Sequence, residues 1–511
     1  MTAPPTTAPD TSLSPWQRWT VLAIVSSALL LIALDNTILY TALPTLSSEL
    51  GATSSEQLWI INAYPLMMAG LLLGSGALGD RFGHKRVFQV GLVIFGVASV
   101  IAAFSPTPQQ LIAGRLLLGI GAAAMMPATL ALIRISFAVE RERNLAIGVW
   151  AATATVGMAL GPIVSGALLA QFWWGSVFLI NVPIVLLASA LMIAIGPRNI
   201  TNPARRWDAI SSAQALIGMA AAVLAIKTWA EAPLNWSVAI TSTLVGVVVL
   251  TVFVRRQVRL MRTTEPLVDF AIFRNRGFSG GVVAAGVSIF AIVGLQLVIT
   301  QRYQLVEGFT PLQAGLLVSA VAAASLPFAL LGGAVLHRVG LLVLIGGGIT
   351  AAALGSVLSA VAAAQDSMGL LIAGLVVAGA GLGASMSVAS TAIMGNVPPR
   401  RAGMAASLEE VSYEFGGLVG VATMGSLLTF IYTRTLTLPP EHAAWETEAP
   451  AAALQQGEEQ VAAAAAEAFD AAYLGVLIAV AVVMMCGAVA SSYLLRHYTP
   501  GTESQKYPHN H

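Results

Sequence analysis

Five ionisable residues of this 511-residue chain lie deep inside long apolar stretches: Asp35, Arg115, Glu409, Glu410 and Glu414. A charge at the centre of a hydrocarbon layer costs about 3 kcal/mol even on the mildest scale, so such residues are kept for a purpose. Counted along a helix, Asp35 is about 12 Å from the far end of its stretch and Arg115 about 9 Å from the same side of its own. The two reach similar depth and can pair. One reading makes Asp35 a proton or cation site tuned by burial and by Arg115; the other is a static structural ion pair. Glu410 and Glu414 are four residues apart and so share a helix face. Two carboxylates in one space repel when both are ionised, which suits one of them to exchange protons near neutrality. Glu409 points elsewhere, and it can meet Arg400 or Arg401 at the interface.

These side chains need a scaffold that brings several helices to one depth, and the composition supplies it. The chain is 57% hydrophobic and only 10% charged, with mean hydropathy +0.81, whereas soluble domains carry roughly a quarter charged residues. Runs of about twenty apolar residues, each long enough to cross a hydrocarbon core, recur near 19–41, 58–78, 88–105, 109–133, 144–169, 175–196, 209–229, 235–254, 279–301, 313–335, 341–364, 369–394, 404–430 and 473–495. The expected fold class is therefore an all-α polytopic membrane protein with fourteen transmembrane helices. Of the 25 Lys and Arg, Arg115 is inside a run and only Lys227, Arg302 and Arg434 fall on one face. The rest crowd the other face, which the positive-inside rule assigns to the cytoplasm together with both termini.

Basic linkers divide the chain into six, two and six crossings. The expected parts are a cytoplasmic tail (1–18), an N-terminal six-helix bundle (19–196), linkers with an inserted hairpin (197–276), a C-terminal six-helix bundle (277–495) and a second cytoplasmic tail (496–511). The two sixes echo each other: Gly76, Arg81 and Gly83 after the second crossing recur at identical spacing as Gly333, Arg338 and Gly340 after the tenth. Transporters built from two related bundles repeat in this way and bind substrate near the midplane between them. A long outer loop, 433–472, holds Pro439-Pro440 and an alanine-rich run from Val461 to Ala472, expected to form a hairpin or short helix outside the membrane or to be a plain connector. The single cysteine, Cys486, excludes an intrachain disulfide and reads as a small packing residue.

Three motifs carry a family resemblance. Gly76-Ala-Leu-Gly-Asp80-Arg81-Phe-Gly83-His-Lys-Arg86 resembles the signature loop of the major facilitator superfamily, in which glycines let helix ends approach while the acid and base act as a latch. Leu111-x-x-x-Arg115-x-x-x-Gly119-Ile-Gly121 resembles the same superfamily. Gly157-x-x-x-Gly161-Pro162-x-x-x-Gly166 resembles the exporters' antiporter motif, with Ser165 where a second glycine is usual. Its glycines form a stripe for close helix contact and its proline permits a bend, although a generic packing interface would look alike. The segment Leu34-Asp35-Asn36-Thr37-Ile38-x-x-x-Ala42-Leu43-Pro44 is similar to the first helix of the fourteen-helix drug:proton antiporters, the subfamily of quaternary-ammonium and multidrug resistance exporters. Trp59-Ile-Ile-Asn62-Ala-Tyr64, Phe178-Leu-Ile-Asn181-Val-Pro183 and Gly308-Phe-Thr-Pro311 extend the likeness over nearly the whole chain.

The resemblance implies a proton-coupled efflux antiporter, working by alternating access in the bacterial inner membrane. It would carry lipophilic or quaternary cations and related amphipathic compounds, as a monomer, with the proton gradient in place of any cofactor and with no metal or nucleic acid. The alternative is an exporter of one antibiotic or metabolite on the same fold. Relatives often place an aspartate where this chain has Asn62, which cannot hold a proton. Trp59, Tyr64, Trp150 and Tyr413 are candidates for aromatic contact with organic cations, worth about 0.5 to 2 kcal/mol each, or are ordinary packing residues. Enzyme classes fare poorly. The six histidines are confined to loops and tails, and no phosphate-binding Gly-x-x-x-x-Gly-Lys loop is present.

Overall fold

The computed structural model describes residues 13–137, 139–201, 208–230, 234–261, 266–397, 402–438 and 459–498. Fourteen helices follow in chain order: α1 (Pro15–Leu50), α2 (Ser54–Phe82), α3 (His84–Ala103), α4 (Pro108–Ser136), α5 (Glu140–Leu169), α6 (Ser176–Ile195, turning at Ile180), α7 (Ala209–Ala230), α8 (Trp236–Leu260), α9 (Arg276–Leu305), α10 (Pro311–Val339), α11 (Val343–Ala364, opening with a π turn), α12 (Met368–Gly395), α13 (Ala402–Thr435) and α14 (Glu459–Leu495). Among the described residues, 12 helices have the length and apolar content to cross a membrane; α2 and α5, with 29 and 30 residues, are helical over the other two expected runs. Each of the fourteen expected apolar runs falls on a helix.

α2 and α10 begin earlier than their apolar runs because polar caps start them. Thr53 accepts from the Glu56 amide while Glu56 Oε2 accepts from the Thr53 amide, a reciprocal pair that closes the first turn of α2. Thr310 and Gln313 do the same for α10. The ends match too. Gly83 and Gly340 stop α2 and α10 at φ +92° and +85°, each donating its N–H over 2.8 Å to Gly79 or Leu336. A side chain is strained in that conformation, which explains why the repeated motif ends in glycine. The two sixes therefore repeat in local structure as well as in sequence.

Within the N-terminal six, α1 packs on α5 and α4 packs between α2 and α3; within the C-terminal six, α10 and α11 flank α12 while α9 packs on α13 and α14. The two sets meet along α5–α10 and α2–α13, and α7 of the inserted hairpin leans on both α2 and α13. At the end where α1 stops and α10 starts, an apolar plug of Tyr40, Leu43, Ile61, Val293, Leu297 and Val421 joins α1 and α2 to α9 and α13. Hydrogen bonds cross between the sets there as well, from Thr300 Oγ1 to the Tyr40 carbonyl and from Gln304 Nε2 to the Thr41 carbonyl, both 3.0 Å.

The hairpin has its own fastening. Asp208 accepts from Arg256 at 3.0 and 3.3 Å. The buried Gln257 amide donates to Ser211 at 2.7 Å and accepts from the Leu267 amide at 2.9 Å.

Two expectations need correction. The alanine-rich run from Val461 to Ala472 is neither a separate outer helix nor loop. It forms the first turns of α14, a continuous helix of 37 residues, because Val461, Ala465, Ala468, Phe469 and Ala472 form a buried stripe that packs into the C-terminal core. The remainder of the loop, 439–458, lies outside the described residues. Cys486 faces outward from α14 rather than packing inside.

Candidate functional site

Asp35 and Arg115, 80 residues apart in sequence, are bonded to each other in the interior of the N-terminal bundle. Both side chains are only 1% exposed. Three further elements complete the surroundings. Arg115 Nε donates to the Ile60 carbonyl of α2 over 3.1 Å, its guanidinium lies 4.6 Å from the centre of the Tyr64 ring, and the Asn181 side chain of α6 lies beside Asp35. Asn181 in turn donates to Ser99 of α3 at 3.1 Å. Five helices thus hold one ion pair, and charge, hydrogen bonds and ring face offset the cost of desolvating it.

Asn36, next to Asp35 on α1, turns the other way and lies beside the Glu414 carboxyl of α13. Successive residues of a helix project about 100° apart, so one turn of α1 reaches the ion pair on one side and the opposite bundle on the other. Glu410 and Glu414 are half-buried on one face of α13, close enough to act on each other electrostatically.

Glu409 is buried and accepts from its own helix neighbour, Tyr413 Oη, at 3.0 Å, with Ser390 of α12 nearby. It therefore turns into the C-terminal bundle rather than toward an interfacial arginine. Arg400 and Arg401 lie outside the described residues.

The four aromatics divide. Tyr64 is fully buried beneath Arg115, and Trp150 is buried with its indole N–H given to Thr129 Oγ1 at 3.1 Å. Neither offers a free ring face. Trp59 and Tyr413 are half-buried beside the α2–α7–α13 seam. Asn62 is 2% exposed and its side-chain oxygen lacks a hydrogen bond.

The glycine motif of α5 works in two directions. A methyl group on Gly157 would strike Ala33 and Leu30 of α1, one on Gly161 would strike Thr37, and one on Gly166 would strike the Leu312 backbone of α10. Gly315 of α10 answers by pressing against the Pro162 carbonyl. The stripe packs α5 against α1 within its own bundle and, beyond Pro162, against the partner bundle.

The loop between α2 and α3 has a partner that its motif did not name. The residue that ties it down is Asn199, which follows α6: its amide donates to the Phe82 carbonyl at 2.8 Å and its oxygen accepts from the Arg86 amide at 3.1 Å. Lys85 Nζ adds a bond to the Gly196 carbonyl at 3.0 Å. Gly83 makes room for the Asn199 amide, whereas Gly76 faces open space, with Pro127 at 4.0 Å from where a Cβ would be. Arg81 is exposed and lies over the ring of Phe82. The Asp80 side chain is outside the described set. The sequence carried no signal for Asn199, a lone amide in a basic linker.

Comparison with known proteins follows the same lines. The chain is 38% identical over 427 residues to the methyl viologen resistance protein SmvA of Salmonella typhimurium, covering 83% of this chain and 85% of that one. It is 36% identical over 473 residues to the multidrug efflux pump LfrA of Mycolicibacterium smegmatis, covering 91% and 92%. The fold is similar to that of a bacterial homolog of the human lysosomal transporter Spinster, solved in an inward-facing and unoccupied conformation, with TM-score 0.66 at 17% identity over 94% of this chain and 98% of that one. Residues 25–421 match the model of the Major Facilitator Superfamily. With two repeated six-helix bundles, an inserted hairpin and a buried ion pair between helices, this chain belongs to the Major Facilitator Superfamily: it is a multi-pass secondary transporter, not an enzyme.

Proposed function

We propose that the protein is a proton-coupled multidrug exporter. The observation that carries this reading is the divided polar turn of α1, where Asp35 bonds Arg115 inside one bundle and Asn36 lies beside Glu414 of the other. Acid groups on both sides of a seam between two moving bodies give a proton a way to change how those bodies fit together. The likeness to two proteins named for drug resistance and efflux supports export of small amphipathic or cationic compounds.

In the proposed cycle, Glu414 and Glu410 are ionised when the cavity faces the cytoplasm and attract an organic cation, with Trp59 and Tyr413 offering ring surface. Proton uptake from the outer side neutralises these carboxylates, weakens the hold on the cation and frees Asn36. Asp35 exchanges its proton with Arg115 as counter-ion, so that α1 can move relative to α13. Proton and drug compete for the same negative charge, which makes the exchange obligatory. The protein works as a monomer in the bacterial inner membrane, with both termini in the cytoplasm and the Gly51–Gly308 end outside.

The test is direct. Proteoliposomes carrying an imposed proton gradient should dissipate it when ethidium or a quaternary ammonium compound is added, and Asp35→Asn should abolish that response at normal expression. Unchanged coupling in Asp35→Asn, Glu410→Gln and Glu414→Gln alike would remove the mechanism. Silence across a broad cation panel would replace multidrug export by export of a single compound on the same fold.

A further inference from the structure

Pro44 lies inside α1 and has no amide hydrogen, so the Tyr40 carbonyl one turn earlier loses its helical donor. In a membrane helix such a carbonyl must find another partner. It finds one on the other bundle: Thr300 Oγ1 of α9, at 3.0 Å, with Thr300 itself fully buried. One turn along α9, Gln304 Nε2 donates to the adjacent Thr41 carbonyl at 3.0 Å. Two donors four residues apart on α9 thus grip two successive carbonyls of α1, directly above the apolar plug that joins the bundles.

We propose that Thr300 and Gln304 form a clasp that holds the Gly51–Gly308 end of the transporter shut, and that they are positioning residues for release of substrate. Thr300 is suited to reversible use. Its hydroxyl oxygen also lies 2.6 Å from the Gln296 carbonyl on its own helix, and it has one proton to give. Closed, the proton can point to Tyr40; open, it falls back on Gln296, so parting the bundles strands no buried donor. What parting does strand is the Tyr40 carbonyl, which no helical amide can reclaim because residue 44 is proline. Water entering the opened end would have to satisfy it. The clasp is therefore strong while the end is dry and weak once it is wet, the property a gate needs. This proposal rests on the alternating-access reading above.

The test reads accessibility rather than transport. In a Cys486→Ser background, Val293→Cys places a thiol in the apolar plug, and a charged, membrane-impermeant maleimide is applied from the Gly51 face in whole cells or from the opposite face in everted vesicles. Thr300→Val and Gln304→Leu should each raise labelling from the Gly51 face about five-fold, with roughly the product for the pair, as expected for one hydrogen bond apiece. Thr300→Ser, which keeps the donor, should label as the parent does. Pro44→Ala gives residue 44 an amide that competes for Tyr40, and it should raise labelling in the same direction; it also serves if a Thr300 variant fails to fold. Labelling indifferent to all these changes, or raised equally from both faces, would overturn the clasp. Loss of drug-coupled proton movement with the labelling pattern intact would remove the antiport reading and leave the clasp standing; coupled transport with indifferent labelling would do the reverse.

Discussion

Arg115 bonds the Asp35 carboxylate and the Ile60 carbonyl at the same time, with the Tyr64 ring under its guanidinium. A buried pair held this way is asymmetric in its energetics. Replacing both partners can cost little, whereas removing one leaves an uncompensated charge and costs about 3 to 5 kcal/mol. Arg115→Met should therefore lower the melting temperature in detergent sharply, and Asp35→Asn combined with Arg115→Met should recover part of the loss. Equal melting of the single and double variants would show that the pair is not energetically coupled.

Glu414 and Glu410 should differ in effect because Glu414 is the one that lies beside Asn36 across the seam. Glu414→Gln is expected to cut drug-dependent proton movement by at least about ten-fold, on the order of 1.4 kcal/mol. Asn36→Ala is expected to slow turnover while leaving drug binding nearly unchanged, since the amide carries no charge to attract a cation. Equilibrium binding of a fluorescent cation, set beside the transport rate, separates the two; weakened binding in Asn36→Ala would contradict this assignment.

Gly166 lies against the Leu312 backbone, where a methyl group has nowhere to go, whereas a methyl group on Gly369 would meet nothing within 4 Å. Gly166→Ala should destabilise by about 1 to 3 kcal/mol through overpacking and impair export, with Gly369→Ala as a silent control. A Gly166→Ala protein that melts and exports like its parent would mean that α5 and α10 can separate at no cost.

Asn199 makes two hydrogen bonds to the turn between α2 and α3. Asn199→Ala should cost about 1 to 2 kcal/mol and make the α2–α3 turn more susceptible to protease in everted vesicles. Unaltered cleavage would show that Lys85 and Gly83 hold the turn without it.

Asp208 offers a pH signature. Partial burial pushes its carboxyl up, but hydrogen bonds from Ser211 and Arg256, and the charge of the latter, more than offset this and hold it below the ordinary value of 3.8. A group with a lowered folded pKa stabilises the protein above its unfolded pKa and loses that contribution as pH falls through the folded value. The melting temperature of Asp208→Asn should thus lie below that of the parent near neutrality, and the gap should close below about pH 4. Solvent exposure keeps the effect within about 1 kcal/mol. A gap that stays constant into acid would point to lost packing rather than charge.

How much of this was legible beforehand follows from what each feature depends on. Fourteen crossings, the six-two-six plan and the repeat ending in Gly83 and Gly340 are properties of local chain chemistry: apolar length, capping residues and positive-φ turns act over a few residues and are written in order along the sequence. The depth of Asp35 and Arg115 could be counted at a fixed rise per residue, and their pairing followed from the cost of leaving either alone in hydrocarbon. Which way Glu409 turns, that Asn199 bonds the loop between α2 and α3, and that Val461 to Ala472 extend α14 were not available in that way. Each depends on the rotation of one helix against another. So does the clasp: the sequence shows that Pro44 frees a carbonyl, but Thr300 is 260 residues away from Tyr40. Only the packing of α9 on α1 decides that its hydroxyl fills the gap. Apolar periodicity fixes that a helix crosses; the close fit of glycines and the satisfaction of buried polar atoms, which require a partner surface, fix what it faces.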